Sequence, residues 1–104
     1  MKLKLFISQP MNGRTNEEIL KERQDAVNSV KEKFSGDEIE VIDSFFQDAP
    51  HDAKPLWFLG KSIELLSAAD IVYFCKGWEN ARGCKIENTC AIEYGLYVIE
   101  SYRK

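Results

Sequence analysis

The sequence predicts a three-layer α/β domain built on a mostly parallel four-stranded sheet. Three observations carry this. Short apolar runs alternate with longer stretches of helical period. Caps and turn residues separate them. The run Ile71-Val72-Tyr73-Phe74-Cys75 is apolar without a break, as in a central parallel strand covered on both faces. The order is βαβαβαβ over 1–104, with no repeat and no linker, and a chain of 104 residues fits one domain.

The first strand is expected over 3–7, with Leu3, Leu5 and Ile7 on one side and Phe6 on the other. Residues 8–14 read as a loop, punctuated by Pro10 and Asn12-Gly13. Thr15 and Glu18 form a capping box and open a helix carrying Ile19, Ala26, Val27, Val30 and Phe34 near one face. Ser35-Gly36 can end it, with Gly36 at positive φ. A short strand over 39–42, flanked by Asp37, Glu38 and Glu40, suits a sheet edge. A polar loop over 43–54 is interrupted by Phe45 and Phe46, and Pro55 then suits a first helical turn. Leu56, Leu59, Ile63 and Leu66 give that helix an apolar stripe. After the central strand and a loop over 76–82, a helix is expected over 83–94, ended by Gly95 and followed by a strand over 97–99.

If strands one and three are central neighbours, the order is 2-1-3-4. A crevice then opens between the loops 8–14 and 76–82, at the topological switch point. Both loops are rich in polar residues and glycine.

Composition narrows the function. A net charge of −3, from 14 basic and 17 acidic residues, gives no general attraction to polyanions. No nucleic-acid polymer is therefore expected as a partner. Small phosphorylated ligands stay open, because a few local donors suffice for them. No stretch reaches the length of a membrane span, and the opening segment is too short for a signal peptide. Cys75, Cys84 and Cys90 show no close paired spacing, which argues against a disulfide framework or a zinc knuckle. A reduced cytoplasmic setting is the simplest reading. The modest size leaves room for a partner subunit.

Glu87 is the first candidate for chemistry. It falls about one turn into the helix after the most apolar strand. Helix-terminal N–H groups favour a nearby anion by roughly 0.3–1 kcal/mol at exposed sites. A carboxylate held this way stays ionised and can attack an electrophilic carbon. It could instead polarise a water, although a general base prefers a raised pKa. The plain alternative is an ordinary first-turn glutamate.

Arg82, Arg14 and the backbone N–H groups near Gly83 are candidates for holding an anion. Ser8 could hydrogen-bond a ligand. No Gly-x-Ser-x-Gly surrounds it, and His51 is the sole histidine, so a Ser-His-Asp triad lacks its motif. There is no GxxxxGK[ST] or GxGxxG pattern, and no cofactor is expected. No metal is expected either: Asp43, Asp48 and Asp52 read as solvated loop acids rather than magnesium ligands. Asp70, before the central strand, lies at the end opposite the crevice. Trp57, Phe58, Phe45, Phe46 and Trp78 suit either a base-stacking surface or a subunit contact. Trp78 is the better ligand-side candidate, since it lies in the crevice loop.

Ser8-Gln9-Pro10-Met11, Ala69-Asp70-Ile71-Val72 and Gly83-x-x-x-Glu87-x-x-x-Ala91-x-x-x-Gly95 together resemble the nucleoside 2-deoxyribosyltransferase-like proteins. The tighter match, through 8–13 and 77–84, is to a small branch met in bacteria and their phages. The resemblance implies a flavodoxin-like or Rossmann-like fold, a homodimer or higher homo-oligomer, and a nucleoside or nucleotide as the small-molecule partner. It implies that Glu87 attacks C1′ of a deoxyribosyl group, releasing a base, before a second base or water takes the sugar. Ser8, Gln9, Met11, Gly13, Arg14, Trp78, Arg82 and Gly83 would bind substrate.

The pattern also departs. The position usually acidic before the helix glycine is Ala81, so a general acid for the leaving base is not evident. Glu79 is a substitute of unknown direction. Arg82 suggests a nucleoside 5′-monophosphate and an N-glycosidase. The usual fifth strand and final helix are cut short after Ile99. The alternatives are a non-catalytic nucleotide-binding module and a structural or interaction protein.

Overall fold

A computed structural model of the protein describes residues 1–46 and 49–101. Four strands and three helices alternate: β1 (Lys2–Ser8), α1 (Asn16–Lys33), β2 (Glu38–Val41), α2 (Pro55–Leu66), β3 (Ile71–Phe74), α3 (Arg82–Glu93) and β4 (Tyr97–Glu100). A single 3-10 turn, Trp78–Asn80, precedes α3. The sheet order is β2-β1-β3-β4, and every pairing is parallel. This is the predicted α/β fold with the predicted 2-1-3-4 order.

Strand alternation divides the core between two faces. Leu5, Ile7, Ile71 and Cys75 meet Ala26, Val27 and Val30 of α1 on one side. Phe6, Val72 and Phe74 meet Leu66, Ala69 and Ala91 on the other, where α2 and α3 pack. Burying such side chains stabilises the fold by roughly 1.5–3 kcal/mol each. β2 forms one edge, where Lys2 pairs with Glu40 at 3.0 Å. Charge at that position discourages pairing with another sheet.

The helix ends explain how the chain turns. Thr15 and Glu18 cap α1 reciprocally. Phe34 ends it by donating its N–H to the Val30 carbonyl at 2.9 Å, and the Asp37 N–H then closes a turn on the Phe34 carbonyl. That turn needs no left-handed residue. Gly36 accordingly does not take the positive φ expected of it; Gly13, Gly77 and Gly95 do. Gly95 at φ 73 stops α3, with its own N–H on Ile92 and that of Leu96 on Ala91. The stripe of α2 also differs from expectation: Leu66 is buried, but Leu56 is 78% exposed. It sits in the helix's first turn. No described helix is long and apolar enough to cross a membrane.

The register sets the crevice. Ser8 lies opposite Phe74, so β1 and β3 end level with one another. The Cys75 N–H donates to the Ser8 carbonyl at 2.9 Å, and the two loops diverge from there. Asp70 stands at the other end, where its carboxylate accepts the Lys4 N–H at 2.9 Å.

Candidate functional site

Glu87 lies in the second turn of α3, and helical side chains tilt toward the N-terminus. Its carboxylate therefore leans back toward the start of α3 and the end of β1. There it meets Ser8, whose Oγ donates to Glu87 Oε1 at 2.5 Å. That length suits an O–H···O⁻ bond. Both residues are buried, Glu87 to 7% exposure. Burial pushes the Glu87 carboxyl above the usual glutamate range, while the hydroxyls of Ser8 and Ser62 counter it by favouring the ionised form. The helix terminus was expected to keep this group charged. Two serines from other elements favour its charged form instead, and desolvation outweighs them.

Glu87 lines a cavity of about 1240 Å³, more than the roughly 300–1,000 Å³ of typical small-ligand sites. Three loops and two helix starts build it. The end of β1 and its loop supply Gln9, Pro10, Met11 and Asn12. The loop after β2 supplies Ser44, Phe45, Phe46, Ala53 and Lys54. Pro55, Leu56, Phe58, Leu59 and Ser62 come from α2, while Asn80, Ala81, Arg82, Gly83, Cys84 and Ile86 come from the start of α3 and the turn before it. A Cβ built on Gly83 would meet nothing within 4 Å. Neither backbone nor packing demands a glycine here, and Gly83 lines the same cavity as Glu87.

The charges in the lining run against those of the chain. Among the described residues of the lining, Lys54 and Arg82 are the cations and Glu87 the one carboxylate. Neither cation makes an ion pair among the described residues. Lys54 and Ala81 hold the N-cap positions of α2 and α3, and neither offers a side-chain cap.

The predicted residues divide into two groups. Gln9, Met11, Arg82, Gly83 and Glu87 line the cavity, with Ser8 behind Glu87. Gly13, Arg14 and Trp78 do not line it. Gly13 forms an exposed turn at φ 76. Arg14 turns away to Glu22 at 2.6 Å and to the Pro10 carbonyl at 3.0 Å. Trp78 packs against Phe74, ring centroids 5.3 Å apart, and belongs to the core on the α2–α3 side. Asp43, His51 and Asp52 are exposed, and Asp48 lies outside the described residues. Among the described residues, no three His, Cys, Asp or Glu side chains gather as a metal site.

Phe45, Phe46 and Phe58, weighed as base-stacking or interface residues, line the cavity, whereas Ser44, Lys54 and Ser62 of the same wall were not among the predicted site residues. A signal existed. β2 is parallel to β1 and β3, so its following loop must also open at the carboxyl end of the sheet.

These features define a small doubly wound α/β protein with a buried carboxylate at its switch-point crevice. The chain belongs to the family described as Domain of unknown function (DUF4406), whose model matches residues 3–100. No curated protein and no solved structure matches it.

Proposed function

We propose that the protein cleaves or exchanges the N-glycosidic bond of a deoxyribonucleoside or its 5′-monophosphate, with Glu87 as nucleophile. The observation that carries this reading is the 2.5 Å hydrogen bond from Ser8 to Glu87, a carboxylate that lines the cavity together with Gly83. The resemblance to the nucleoside 2-deoxyribosyltransferase-like proteins through 8–13 and 83–95 supplies the reaction class.

In this account the Glu87 carboxylate forms a bond to C1′ as the C1′–N bond to the base breaks. The bonding electrons leave with the base, which takes a proton from solvent, because Ala81 offers none. The sugar passes through an oxocarbenium-like state, and an adjacent carboxylate stabilises that charge. Water, or a second base, then attacks C1′ and frees the carboxylate. Ser8 and Ser62 hold the ionised oxygen in place throughout. Lys54 and Arg82 favour a phosphate at the mouth, and Phe45, Phe46 and Phe58 offer faces for the base.

Assembly into a homodimer or higher oligomer belongs to the same proposal. Leu56, Phe58 and Ile86 stand 78%, 37% and 40% exposed along the cavity lining, an apolar rim that a second copy could cover. Light scattering after gel filtration reads this directly.

A non-catalytic nucleotide-binding module is the second reading. It is favoured by Ala81 and by burial drawing Glu87 toward its neutral form. Incubation with deoxynucleosides and their 5′-monophosphates, with and without an acceptor base, separates the cases. Free base from monophosphates alone supports the hydrolase. Exchange that needs an acceptor supports the transferase. Saturable binding with no base released favours the module.

A further inference from the structure

Arg23 occupies the buried face of α1 among Ile19, Ala26, Val27 and Val30, at 8% exposure. No carboxylate lies within ion-pair distance of it among the described residues. Its guanidinium is used on neutral oxygens. Nη1 donates to Gln9 Oε1 at 3.3 Å, and Nη2 donates to Ser44 Oγ at 3.0 Å. Ser44 Oγ donates onward to the Ile7 carbonyl at 3.3 Å. Gln9 is fixed from its other end, where Nε2 donates to the Ile19 carbonyl and to Glu22 Oε1, both at 2.9 Å. Its oxygen is left to face Arg23.

A buried cation without a carboxylate is a costly way to fill a helix face; an apolar side chain of similar volume is often at least as stabilising. The cost is explicable by what the fork spans. Gln9 follows β1 and Ser44 follows β2, and both line the cavity. We propose that Arg23 is a positioning residue: its guanidinium ties these two loops together behind the cavity wall and sets the spacing between Gln9 and Ser44. The benefit to a ligand rests on the cavity being a binding site; the tie itself does not.

The test is chymotrypsin nicking after Phe45 or Phe46, located by mass spectrometry, with urea unfolding measured in parallel to correct for global stability. Nicking requires local opening of the loop after β2. Arg23→Met is expected to speed it roughly tenfold or more beyond the global correction, the scale of losing hydrogen bonds from a charged donor. Arg23→Lys keeps the charge and stem but lacks the planar fork, and is expected to be nicked as fast as Arg23→Met. Ser44→Ala is expected to accelerate nicking too, and to add little on top of Arg23→Met. If Arg23→Met does not fold, Arg23→Lys and Ser44→Ala carry the test.

Wild-type rates in Arg23→Lys would show that charge or packing alone is needed and overturn the proposal. So would an unchanged rate in Ser44→Ala, or additive effects of the two changes. Glu87→Gln is expected to be nicked at the wild-type rate whether or not the protein turns over nucleotides. Failure of the loop tie and failure of the glycosyl reading are thereby distinguishable.

Discussion

Ser8 Oγ donates a 2.5 Å hydrogen bond to Glu87 Oε1, joining the end of β1 to the second turn of α3. Two residues far apart in sequence meet because the parallel register brings Ser8 to the switch point, while the helix tilts Glu87 back toward it. The bond helps to keep a carboxylate where burial disfavours its charge.

That tension has a sign that can be measured. Burial raises the Glu87 pKa in the folded protein, so the folded state holds the proton more tightly than the unfolded chain does. The wild type should lose stability as pH rises from below the ordinary glutamate range through the raised folded value. Glu87→Gln does not titrate. At pH 7 it should be more stable than wild type, and the difference should shrink toward zero as pH falls below the ordinary glutamate range. Urea denaturation across this range checks it; a constant difference, or one that grows toward acid, would count against a raised pKa.

Gly83 separates fold from site. A Cβ there enters open space, and φ is not in the left-handed region. Gly83→Ala should fold normally and be neutral or stabilising by up to about 1 kcal/mol. Gly83→Leu should keep the thermal transition while nucleotide binding falls by an order of magnitude or more, as read by calorimetry. Unimpaired binding in Gly83→Leu would mean that the open space at Gly83 is not used.

Much of this arrangement was legible in the sequence because it depends on local pattern. The alternation of Leu3, Leu5 and Ile7 against Phe6 predicted both sheet faces, and Thr15 with Glu18 predicted the start of α1. The unbroken apolar run through Phe74 predicted a central strand; the 2-1-3-4 order and the crevice followed only with strands one and three as central neighbours, which periodicity alone does not dictate. Side-chain direction was not legible in the same way. Trp78 sits in the crevice loop, yet the 3-10 turn after Gly77 swings its ring onto Phe74. Arg14 stands near the lip, yet Glu22, one helix turn beyond the capping box, takes its guanidinium. Arg23 carries a charge on the same helical face as Ile19, Ala26, Val27 and Val30, and the packing of α1 buries it. Each of these outcomes depends on a partner brought in by tertiary structure.

Two thiols in or near the site should be inert. Burial pushes Cys75 up to about 12 and Cys84 up to about 11. At pH 8 the thiolate fraction at pKa 11 is roughly one in a thousand, against about a quarter for an ordinary thiol. In a Cys90→Ser background, Ellman's reagent should label the native protein roughly a hundredfold more slowly than the urea-unfolded chain. Equal rates would show that these thiols are open and activated.

Arg82 should matter to phosphate and not to the sugar or base. Arg82→Ala is expected to weaken binding of a deoxynucleoside 5′-monophosphate roughly tenfold or more, while affinity for the unphosphorylated nucleoside changes by less than about twofold. Wild-type binding should also weaken as salt rises. Equal losses for both ligands would place Arg82 elsewhere than at the phosphate.

The most direct measurement is base release from deoxynucleoside 5′-monophosphates by the wild type and by Glu87→Gln, with intact-mass analysis of the quenched wild-type reaction. Release by the wild type is expected, with a deoxyribosyl-phosphate adduct mapping to Glu87 and loss of both in Glu87→Gln with its fold intact. Release that persists in Glu87→Gln would contradict the assignment of Glu87 as nucleophile.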